Sequence, residues 1–275
     1  MIKDLEAVKK QIVTWLEEQV EKSGTKSLIV GVSGGIDSAL VTALCSHTKY
    51  DVVGVLMPCH SKKESIERGM EVVSKFNVKH HVINLEKSFD GIVEQNDHEL
   101  SPDDKKYVEG SLRSRLRAPV LGYFAKINKG LIVGTGNRSE DSLLRYFDKF
   151  GDGSVDISPI SGLFKSEVYQ LAEYLGVPES VLKAKPTADL WGEDEQTDEG
   201  ELGMSYDEVE WAERYIEKYD LDVNGENMIK LADEHHHLNP REKFVLKEVA
   251  KHEINTRHKY NPNLPECRIK KEYLD

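Results

Sequence analysis

An aspartate inside a glycine-rich turn is the clearest chemical feature of this 275-residue sequence. The segment Gly31-Val32-Ser33-Gly34-Gly35-Ile36-Asp37-Ser38 follows an apolar run at 27–30 and opens a stretch at 36–45 that is typical of a helix. Glycines let a turn approach a ligand closely, and N–H groups at the start of a helix attract phosphate. No lysine follows the glycines, in contrast to a Walker A loop, and Asp37 is suited to hold Mg²⁺ beside bound phosphates. The segment predicts a phosphate-binding loop.

A second polar segment follows another apolar run, at 131–133. It reads Gly134-Thr135-Gly136-Asn137-Arg138-Ser139-Glu140-Asp141. The hydroxyl of Thr135 could bind a phosphate or an adenosine, and Glu140 could complete a Mg²⁺ site with Asp37. The segment is equally compatible with an ordinary loop before a helix, because Asn137 or Ser139 could serve as the N-cap. Both interpretations stay open from this segment alone.

Alternating strands and helices must position these two segments. This alternation predicts an α/β fold, in which a doubly wound parallel sheet is flanked by helices. Ligands of such sheets bind beyond the carboxyl ends of the strands, here Ser33, Met57 and Gly134. The strands are predicted at 27–33, 51–57, 79–85 and 131–133, and the helices of this half at 5–20, 36–48, 62–76 and 104–128.

The second half of the sequence is mainly helical. The pattern predicts helices near 165–176, 178–184, 205–219 and 240–257. Residues 192–203 are rich in Asp, Glu and Gly, which favours a solvated lid loop. No domain boundary is evident, so we expect a single domain over 1–275. Pro119 lies within the 104–128 stretch and predicts a kink or a break in that helix.

Composition excludes several classes of protein. The net charge of −12 disfavours a nucleic acid as the main partner. No apolar stretch approaches the roughly 20 residues that a membrane span requires. The three cysteines share no metal-ligand spacing, which favours a reducing, cytoplasmic location. The run 235–237 of three histidines is interpreted as a solvated helix end, because consecutive helical residues cannot all face one ion.

The 31–38 octapeptide resembles the pyrophosphate loop of the N-type ATP pyrophosphatases, which put AMP on an acceptor and release pyrophosphate. Further segments resemble the NAD synthetases in their small, ammonia-dependent form, and this resemblance extends over about 5–265. The resemblance implies an adenine nucleotide alpha hydrolase-like, Rossmann-like fold. The segments that carry it are GTGNRSE (134–140), KFGDG (149–153), PTADLW (186–191) and QTDEGELG (196–203).

The resemblance also implies a reaction. ATP and Mg²⁺ would activate the nicotinate carboxylate of deamido-NAD as an acyl adenylate, and ammonia would convert it to NAD, AMP and pyrophosphate. A glutaminase domain is not expected in a chain of this length, and a homodimer is expected, with the 104–128 helix as an interface element. Two alternatives remain: another N-type ATP pyrophosphatase, such as an adenylating amidotransferase or a tRNA-modifying enzyme, or a non-catalytic nucleotide-binding paralogue.

The family's site residues transfer to matching positions of this sequence. Asp37 and Glu140 would hold Mg²⁺, and Asp37, Lys165 and Asp152 would be catalytic, with Asp152 receiving ammonium. ATP would contact Gly31, Val32, Ser33, Gly34, Gly35, Ile36, Asp37, Ser38, Thr135, Lys165 and Thr187, and deamido-NAD would contact Arg115, Lys149, Asp156, His258 and Lys259.

The sequence departs from the family pattern at three positions around the expected nicotinate end. Ser111 stands where asparagine is usual, and Ala118 stands where methionine is usual. Arg145 stands where glycine is common. We therefore expect the local backbone near Arg145 to be the part of the site that differs most from its relatives.

Overall fold

Four parallel strands and twelve α-helices form the part of the chain that the computed structural model describes, which is 1–96, 98–187, 197–219 and 225–260. The strands are β1 (Ser27–Gly31), β2 (Asp51–Leu56), β3 (Lys79–Val82) and β4 (Gly130–Val133). The helices are α1 (Leu5–Ser23), α2 (Ile36–Ser46), α3 (Lys63–Lys75), α4 (Glu86–Val93), α5 (Pro102–Asn128), α6 (Arg138–Asp141), α7 (Lys165–Tyr174), α8 (Glu179–Leu182), α9 (Asp198–Leu202), α10 (Tyr206–Lys218), α11 (Gly225–Glu234) and α12 (Pro240–Thr256), followed by a 3₁₀ turn at Arg257–Tyr260.

The strand order β3-β2-β1-β4 confirms the predicted doubly wound parallel sheet. Val30 of β1 pairs with Gly54 of β2 on one side and with Val133 of β4 on the other. The chain runs outward from β1 to β3 and then returns to add β4 beside β1, so a topological switch point lies between β1 and β4. The loops that follow these two strands are the two segments in which we predict the phosphate chemistry.

Both faces of the sheet are covered, as the nearly continuous apolar runs of the strands require. Leu28 and Val30 point into a core that includes residues of α1, α2, α3 and α7. Ile29 points to the opposite face, into a core with Phe89 of α4 and Phe124 of α5. This alternation along β1 anchors the strand between two helical layers, and its carboxyl end is held in a fixed place.

Three strands are shorter than predicted, of which β2 differs by a single residue. β1 ends at Gly31, and Val32 and Ser33 belong to the following loop, although the Val32 N–H still donates to the Val55 carbonyl. β3 ends at Val82 rather than near 85, because it is an edge strand whose residues are mostly exposed. The apolar pattern extended these predictions beyond the residues that form the ladder.

Sequence analysis predicts a kink or a break at Pro119, and helix α5 does not break there, because it continues from Pro102 to Asn128. Proline removes one backbone donor, but a long helix that packs against the sheet has many other contacts that preserve it. α5 packs against β1 and β4 and so carries Arg115 past the carboxyl edge of the sheet.

A third apolar core lies among the helices of the C-terminal half. Its buried residues include Leu202 of α9, Val209 of α10, Met228 of α11 and Val249 of α12. Leu144, fully buried in the same core, follows α6 and links these helices to the segment after β4. No helix within the described residues is long and apolar enough to cross a membrane.

Candidate active site

The loop 31–38 has the conformation that an anion-binding turn requires. Gly34 has a φ of +86°, and a Cβ atom there would lie 2.1 Å from the Ser65 carbonyl oxygen, so only glycine fits. Arg68 Nε donates to the Gly34 carbonyl oxygen over 3.1 Å. Because a trans peptide directs its C=O and N–H in opposite directions, this bond turns the Gly35 N–H away from Arg68. The loop therefore presents N–H groups at the start of α2.

Serines on both sides of the turn hold it together. Ser38 Oγ lies 3.0 Å from Ser33 Oγ and accepts a bond from the Ser33 N–H over 3.2 Å. The Gly35 N–H donates to Ser33 Oγ over 3.2 Å. The N–H groups of Ser33 and Gly35, which donate to these serine hydroxyls, could instead donate to a bound phosphate.

Lys165 lies between the two carboxylates that the sequence pairs as a metal site. Its Nζ is 2.6 Å from Asp37 Oδ2 and 2.8 Å from Glu140 Oε1, and its side chain is only 4% exposed. Asn137 Nδ2 donates to Asp37 Oδ1 over 2.8 Å, while Asn137 Oδ1 accepts the Glu140 N–H as the N-cap of α6. Asn137 is thus both the N-cap of α6 and a hydrogen-bond donor to Asp37. The segment is therefore a loop before a helix and, at the same time, part of the polar cluster.

The pKa values in this cluster reflect burial opposed by charge. Burial raises the pKa of Asp37 despite the attraction of Lys165. Burial acts in the same direction at Glu140, but the charge and hydrogen bond of Lys165 and the hydroxyl of Tyr206 outweigh it and lower that pKa. The two carboxylates more than offset the effect of burial on Lys165 and raise its pKa. One ammonium and two carboxylates leave an excess of negative charge that suits a further cation.

The cluster extends to two residues of the C-terminal half. Tyr206 Oη lies 2.7 Å from Glu140 Oε1 and 3.0 Å from Asp198 Oδ2. Burial, followed by the charge of Glu140, raises the pKa of Asp198 to about 6. α9 and α10 therefore reach the carboxylates beside the pyrophosphate loop.

A cavity of about 890 Å³ connects this cluster with the expected substrate-binding residues. This volume is of the size that nucleotide and cofactor sites have. Its walls include Gly31, Val32, Ser33, Gly35, Ile36, Asp37, Ser38, Arg115, Thr135, Glu140, Lys149, Asp152, Lys165, Thr187, His258 and Lys259.

Arg115 is held at the cavity mouth by a carboxylate. Its Nε donates to both oxygens of Asp148 over 3.1 and 3.0 Å, and its side chain is 53% exposed. Ser111 Oγ donates to Asp148 Oδ2 over 2.6 Å. Ser111, one of the departures from the family pattern, thus orients the carboxylate that orients Arg115.

Asp152 lies in a tight turn of the KFGDG segment against α5. Its Oδ1 accepts from Ser114 Oγ over 2.8 Å and from the Asp148 N–H over 2.9 Å. Part of the side chain reaches solvent, yet the surrounding protein raises its pKa by reducing its hydration. A carboxylate with a raised pKa on the cavity wall can accept or release a proton.

The 3₁₀ turn at the end of α12 closes the cavity on the same side. Lys149 Nζ donates to the His258 carbonyl oxygen over 3.3 Å. Lys259 Nζ donates to the carbonyl oxygens of Arg145 and Phe147 over 3.0 and 2.6 Å. Burial lowers the pKa of Lys259.

Arg145 has a φ of +49°, in the left-handed region that glycine adopts without strain. Arg145 therefore adopts a backbone conformation that favours glycine, although its side chain is that of an arginine. Arg145 Nη1 donates to the Glu253 carbonyl oxygen over 3.2 Å and pairs with the Glu253 carboxylate at 3.5 Å. This contact with α12 compensates the strain of a non-glycine residue in that conformation.

Asp156 is the expected deamido-NAD contact that the structure does not bring to the cavity wall, and Gly34 is the expected ATP contact that does not line it. Asp156 Oδ2 accepts the Ile132 N–H over 2.8 Å, at the end of β4, and its side chain is exposed. Residues 192–196 of the expected lid and 188–191 of the PTADLW segment lie outside the described residues. The described part of the expected lid, 198–202, is helix α9 rather than a loop.

The donor set of the cluster fits a hard divalent cation. Asp37 and Glu140 supply carboxylate oxygens, which hard cations prefer as ligands, and the Lys165 ammonium lies between the two carboxylates. Within the described residues, no group of three or more His, Cys, Asp or Glu side chains is arranged to hold a metal ion. Phosphate oxygens of a nucleotide would have to complete the coordination.

Sequence reasoning missed Tyr206, Asp198, Arg68 and Tyr146, whose side chains all contact the site. Asp198 and Tyr206 flank a glycine turn in the QTDEGELG region and carried no spacing that paired them with Glu140. Tyr146 donates to Glu201 across the cavity. Their functions depend on contacts between distant segments, which local patterns do not report.

The comparisons with known proteins agree on one family. The NAD synthase family model matches residues 8–260. An NH₃-dependent NAD⁺ synthetase of Alkaliphilus metalliredigens is 42% identical over 207 residues, which cover 73% of this chain and 83% of that protein. One from Picrophilus torridus is 38% identical over 247 residues, covering 84% of this chain and 95% of that protein.

Solved structures agree on the fold. An NMN synthetase from Francisella tularensis has a TM-score of 0.79 at 24% identity, covering 96% of this chain and 99% of its own. An NH₃-dependent NAD synthetase from Campylobacter jejuni has a TM-score of 0.74 at 24% identity, covering 98% of this chain and all of its own. Together with the matching model and the closely related sequences, they confirm the resemblance that the motifs predict. The chain belongs to the NAD synthase family.

Proposed function

We propose that this chain is an ammonia-dependent NAD⁺ synthetase, a ligase that amidates deamido-NAD at the expense of ATP. The observation that carries the proposal is the shared cavity. Its wall contains a pyrophosphate loop with Lys165 at one end and Arg115, Lys149 and His258 at the other. A single bound ATP and a dinucleotide would therefore meet inside one enclosure.

The proposed reaction needs no nucleophile from the protein. A carboxylate oxygen of the nicotinate ring attacks the α-phosphorus of ATP, the bond to the bridging oxygen breaks, and pyrophosphate leaves. Ammonia then attacks the activated carbonyl carbon, AMP leaves with the former carboxylate oxygen, and a proton is released. The N–H groups at the start of α2 and the ammonium of Lys165 would stabilise the charge on the departing pyrophosphate.

We propose Asp37 and Glu140 as the protein ligands of Mg²⁺ that accompanies ATP. Such an ion neutralises phosphate charge and orients the triphosphate. In the structure the Lys165 ammonium pairs with both carboxylates. If these carboxylates bound the ion, the ammonium would be available to bind the phosphates of ATP. Thr135 and Thr187 are proposed as further ATP contacts, since both line the cavity.

The nicotinate end would be built from the basic residues at the cavity mouth. We assign Arg115, Lys149, His258 and Lys259 to deamido-NAD and Asp152 to the reception of ammonium. Asp152 supports this role because its pKa is raised and its side chain lies on the cavity wall. Asp156, which faces Ile132, would contact deamido-NAD only if the 152–156 turn rearranged.

We also propose a homodimer that forms through α5. This helix exposes Tyr123 and Ile127, 64% and 58% accessible and one turn apart, as well as Val108. A face of this kind is typical of a covered surface. Replacing Tyr123 and Ile127 together by glutamate should turn a dimer into a monomer in sedimentation experiments. An unchanged sedimentation coefficient would exclude this face as the interface.

We propose that the reaction takes place in the cytoplasm and that the chain acts as a single catalytic unit. Cys45 and Cys59 are free and buried, which is compatible with a reducing compartment. The core beside the sheet that contains Val133 and the core of the C-terminal helices that contains Leu144 both contribute to the wall of the same cavity, which supports a single catalytic unit.

The acceptor assay tests the central proposal. The protein is incubated with ATP, Mg²⁺, deamido-NAD and ammonium, and we expect equal amounts of NAD, AMP and pyrophosphate. ADP in place of AMP would reject the adenylation mechanism. A parallel reaction offers nicotinate mononucleotide, because one structural neighbour is an NMN synthetase. If only the mononucleotide were converted, the acceptor would be nicotinate mononucleotide rather than deamido-NAD. If neither were converted, a non-catalytic paralogue would be favoured.

A further inference from the structure

Tyr206 lies at a position that its local sequence holds firmly. Ser205 is the N-cap of α10, and its hydroxyl accepts the Glu208 N–H while the Glu208 carboxylate accepts the Ser205 N–H. This reciprocal capping box fixes the first turn of the helix. Tyr206 is the first residue of that turn and is only 7% exposed. Its side chain is therefore directed into the protein by a rigid backbone.

The buried side chain touches both charges of the central ion pair. Its hydroxyl lies 2.7 Å from Glu140 Oε1, and the Lys165 ammonium lies 4.9 Å from the centre of its ring. A ring face attracts a cation and a hydroxyl donates to a carboxylate, so the two contacts are complementary. The Tyr206 side chain thus contacts both members of the ion pair between Glu140 and Lys165.

The hydroxyl has a single hydrogen but two carboxylates within reach. Glu140 Oε1 is nearer than Asp198 Oδ2, which lies 3.0 Å away. Both carboxylates compete for this hydrogen at pH 7, because the pKa of Asp198, although raised by burial, is about 6. The shorter distance favours donation to Glu140.

Asp198 also has an oxygen with no hydrogen-bond partner among the described residues. This atom, Oδ1, is buried, and Asp198 lines the cavity. A buried oxygen without a partner is costly unless the acid is neutral or a ligand supplies a donor. α9 therefore places on the cavity wall a carboxylate oxygen that a donor group of a ligand could satisfy.

We propose that Tyr206 is a positioning residue for the adenylation step, which holds Glu140 through its hydroxyl and Lys165 through its ring. The inference rests on the proposed function of the same cavity. Tyr206 would keep the Glu140 carboxylate and the Lys165 ammonium oriented toward the phosphates of ATP.

The first test separates the hydroxyl from the ring. Tyr206→Phe keeps the ring beneath Lys165 and removes the bond to Glu140. We expect kcat to fall about 10-fold or more, with the KM for deamido-NAD within twofold of the wild type. Tyr215→Phe is the matched control, because Tyr215 lies on the same helix and its hydroxyl contacts His235 and His237 outside the site. Equal kcat values in the two variants would overturn the proposal.

A binding cycle tests whether Tyr206 acts through Glu140. ATP affinity is measured by calorimetry for the wild type, Tyr206→Phe, Glu140→Gln and the double variant. We expect Tyr206→Phe to change the ATP Kd by about threefold or more alone and by less than 1.5-fold in the Glu140→Gln background. The same change in both backgrounds would overturn the proposal. This cycle needs no turnover, so it decides the inference even if the acceptor assay fails.

Discussion

Lys165 Nζ lies 2.6 Å from Asp37 Oδ2, although 128 positions separate the two residues in the sequence. Asp37 belongs to the first turn of α2, Lys165 begins α7, and these helices pack against each other. The contact links the pyrophosphate loop to the segment that follows β4, because Lys165 also reaches Glu140. The chemistry of the site is therefore distributed over three elements that meet at one edge of the sheet.

Removing the buried ammonium should destabilise the protein strongly. Lys165→Met leaves Asp37 and Glu140 buried without their shared cation, and we expect the free energy of unfolding at pH 7 to fall by about 3 kcal/mol. Urea denaturation followed by circular dichroism measures this change. Lys63→Met is the control, because Lys63 forms an exposed pair with Glu67 and should change stability by less than about 0.5 kcal/mol. A similar small effect in Lys165→Met would contradict the description of the cluster.

Asp37→Ala should abolish turnover while the protein still folds. Asp37 is the proposed ligand of the ion that accompanies ATP, and its loss should reduce kcat by about 100-fold or more. Release of pyrophosphate in the presence of deamido-NAD and ammonium reports the rate. Rates like those of the wild type would remove the metal role of Asp37.

The shape of the pyrophosphate loop should depend on Gly34. In Gly34→Ala the new Cβ would clash with the Ser65 carbonyl oxygen, and we expect the KM for ATP to rise about 10-fold or more. Gly176→Ala is a matched control, since Gly176 also has a positive φ, +73°, but has open space around its Cβ position. That variant should lose about 1 kcal/mol of stability and keep its KM for ATP.

Arg115→Ala should mainly weaken the binding of deamido-NAD. The guanidinium lies at the cavity mouth, bound to Asp148, and has no contact with the pyrophosphate loop among the described residues. We expect the KM for deamido-NAD to rise about 10-fold and the KM for ATP to change by less than twofold. If the KM for deamido-NAD stayed the same, Arg115 would have to be removed from the substrate site.

Asp198 should make the ligand-free protein less stable as the pH rises from about 4 to 6. The folded state binds a proton more tightly than the unfolded state, because the pKa of Asp198 rises from 3.8 to about 6. Stability therefore falls with pH in this window, by about 3 kcal/mol in total from this group. Urea titrations of wild type and Asp198→Asn should show a difference that grows in favour of the variant up to pH 6 and is then constant. A difference independent of pH would show that Asp198 is ionised throughout.

Local chemistry in the sequence was enough to predict the loop and its fold class. Gly34 is needed wherever a positive φ and a close backbone contact coincide, and apolar runs before Gly31 and Gly134 mark buried parallel strands. These features depend on neighbouring residues, so they can be recognised before any contact is known. Prediction of strand ends was less accurate, since an apolar pattern continues past the last ladder bond at Gly31.

The sequence by itself determined the α/β architecture and the family, because each rests on contiguous motifs, and all of its predicted site residues except Gly34 and Asp156 line the cavity. Only the tertiary structure decided that Lys165 lies between Asp37 and Glu140, that Tyr206 joins them, and that Asp156 turns to β4 instead. It also showed that Arg145 keeps a backbone conformation natural to glycine through its contact with α12. The physical reason is that charge pairing and burial depend on how separate helices pack, and packing is set by the whole chain rather than by any one segment.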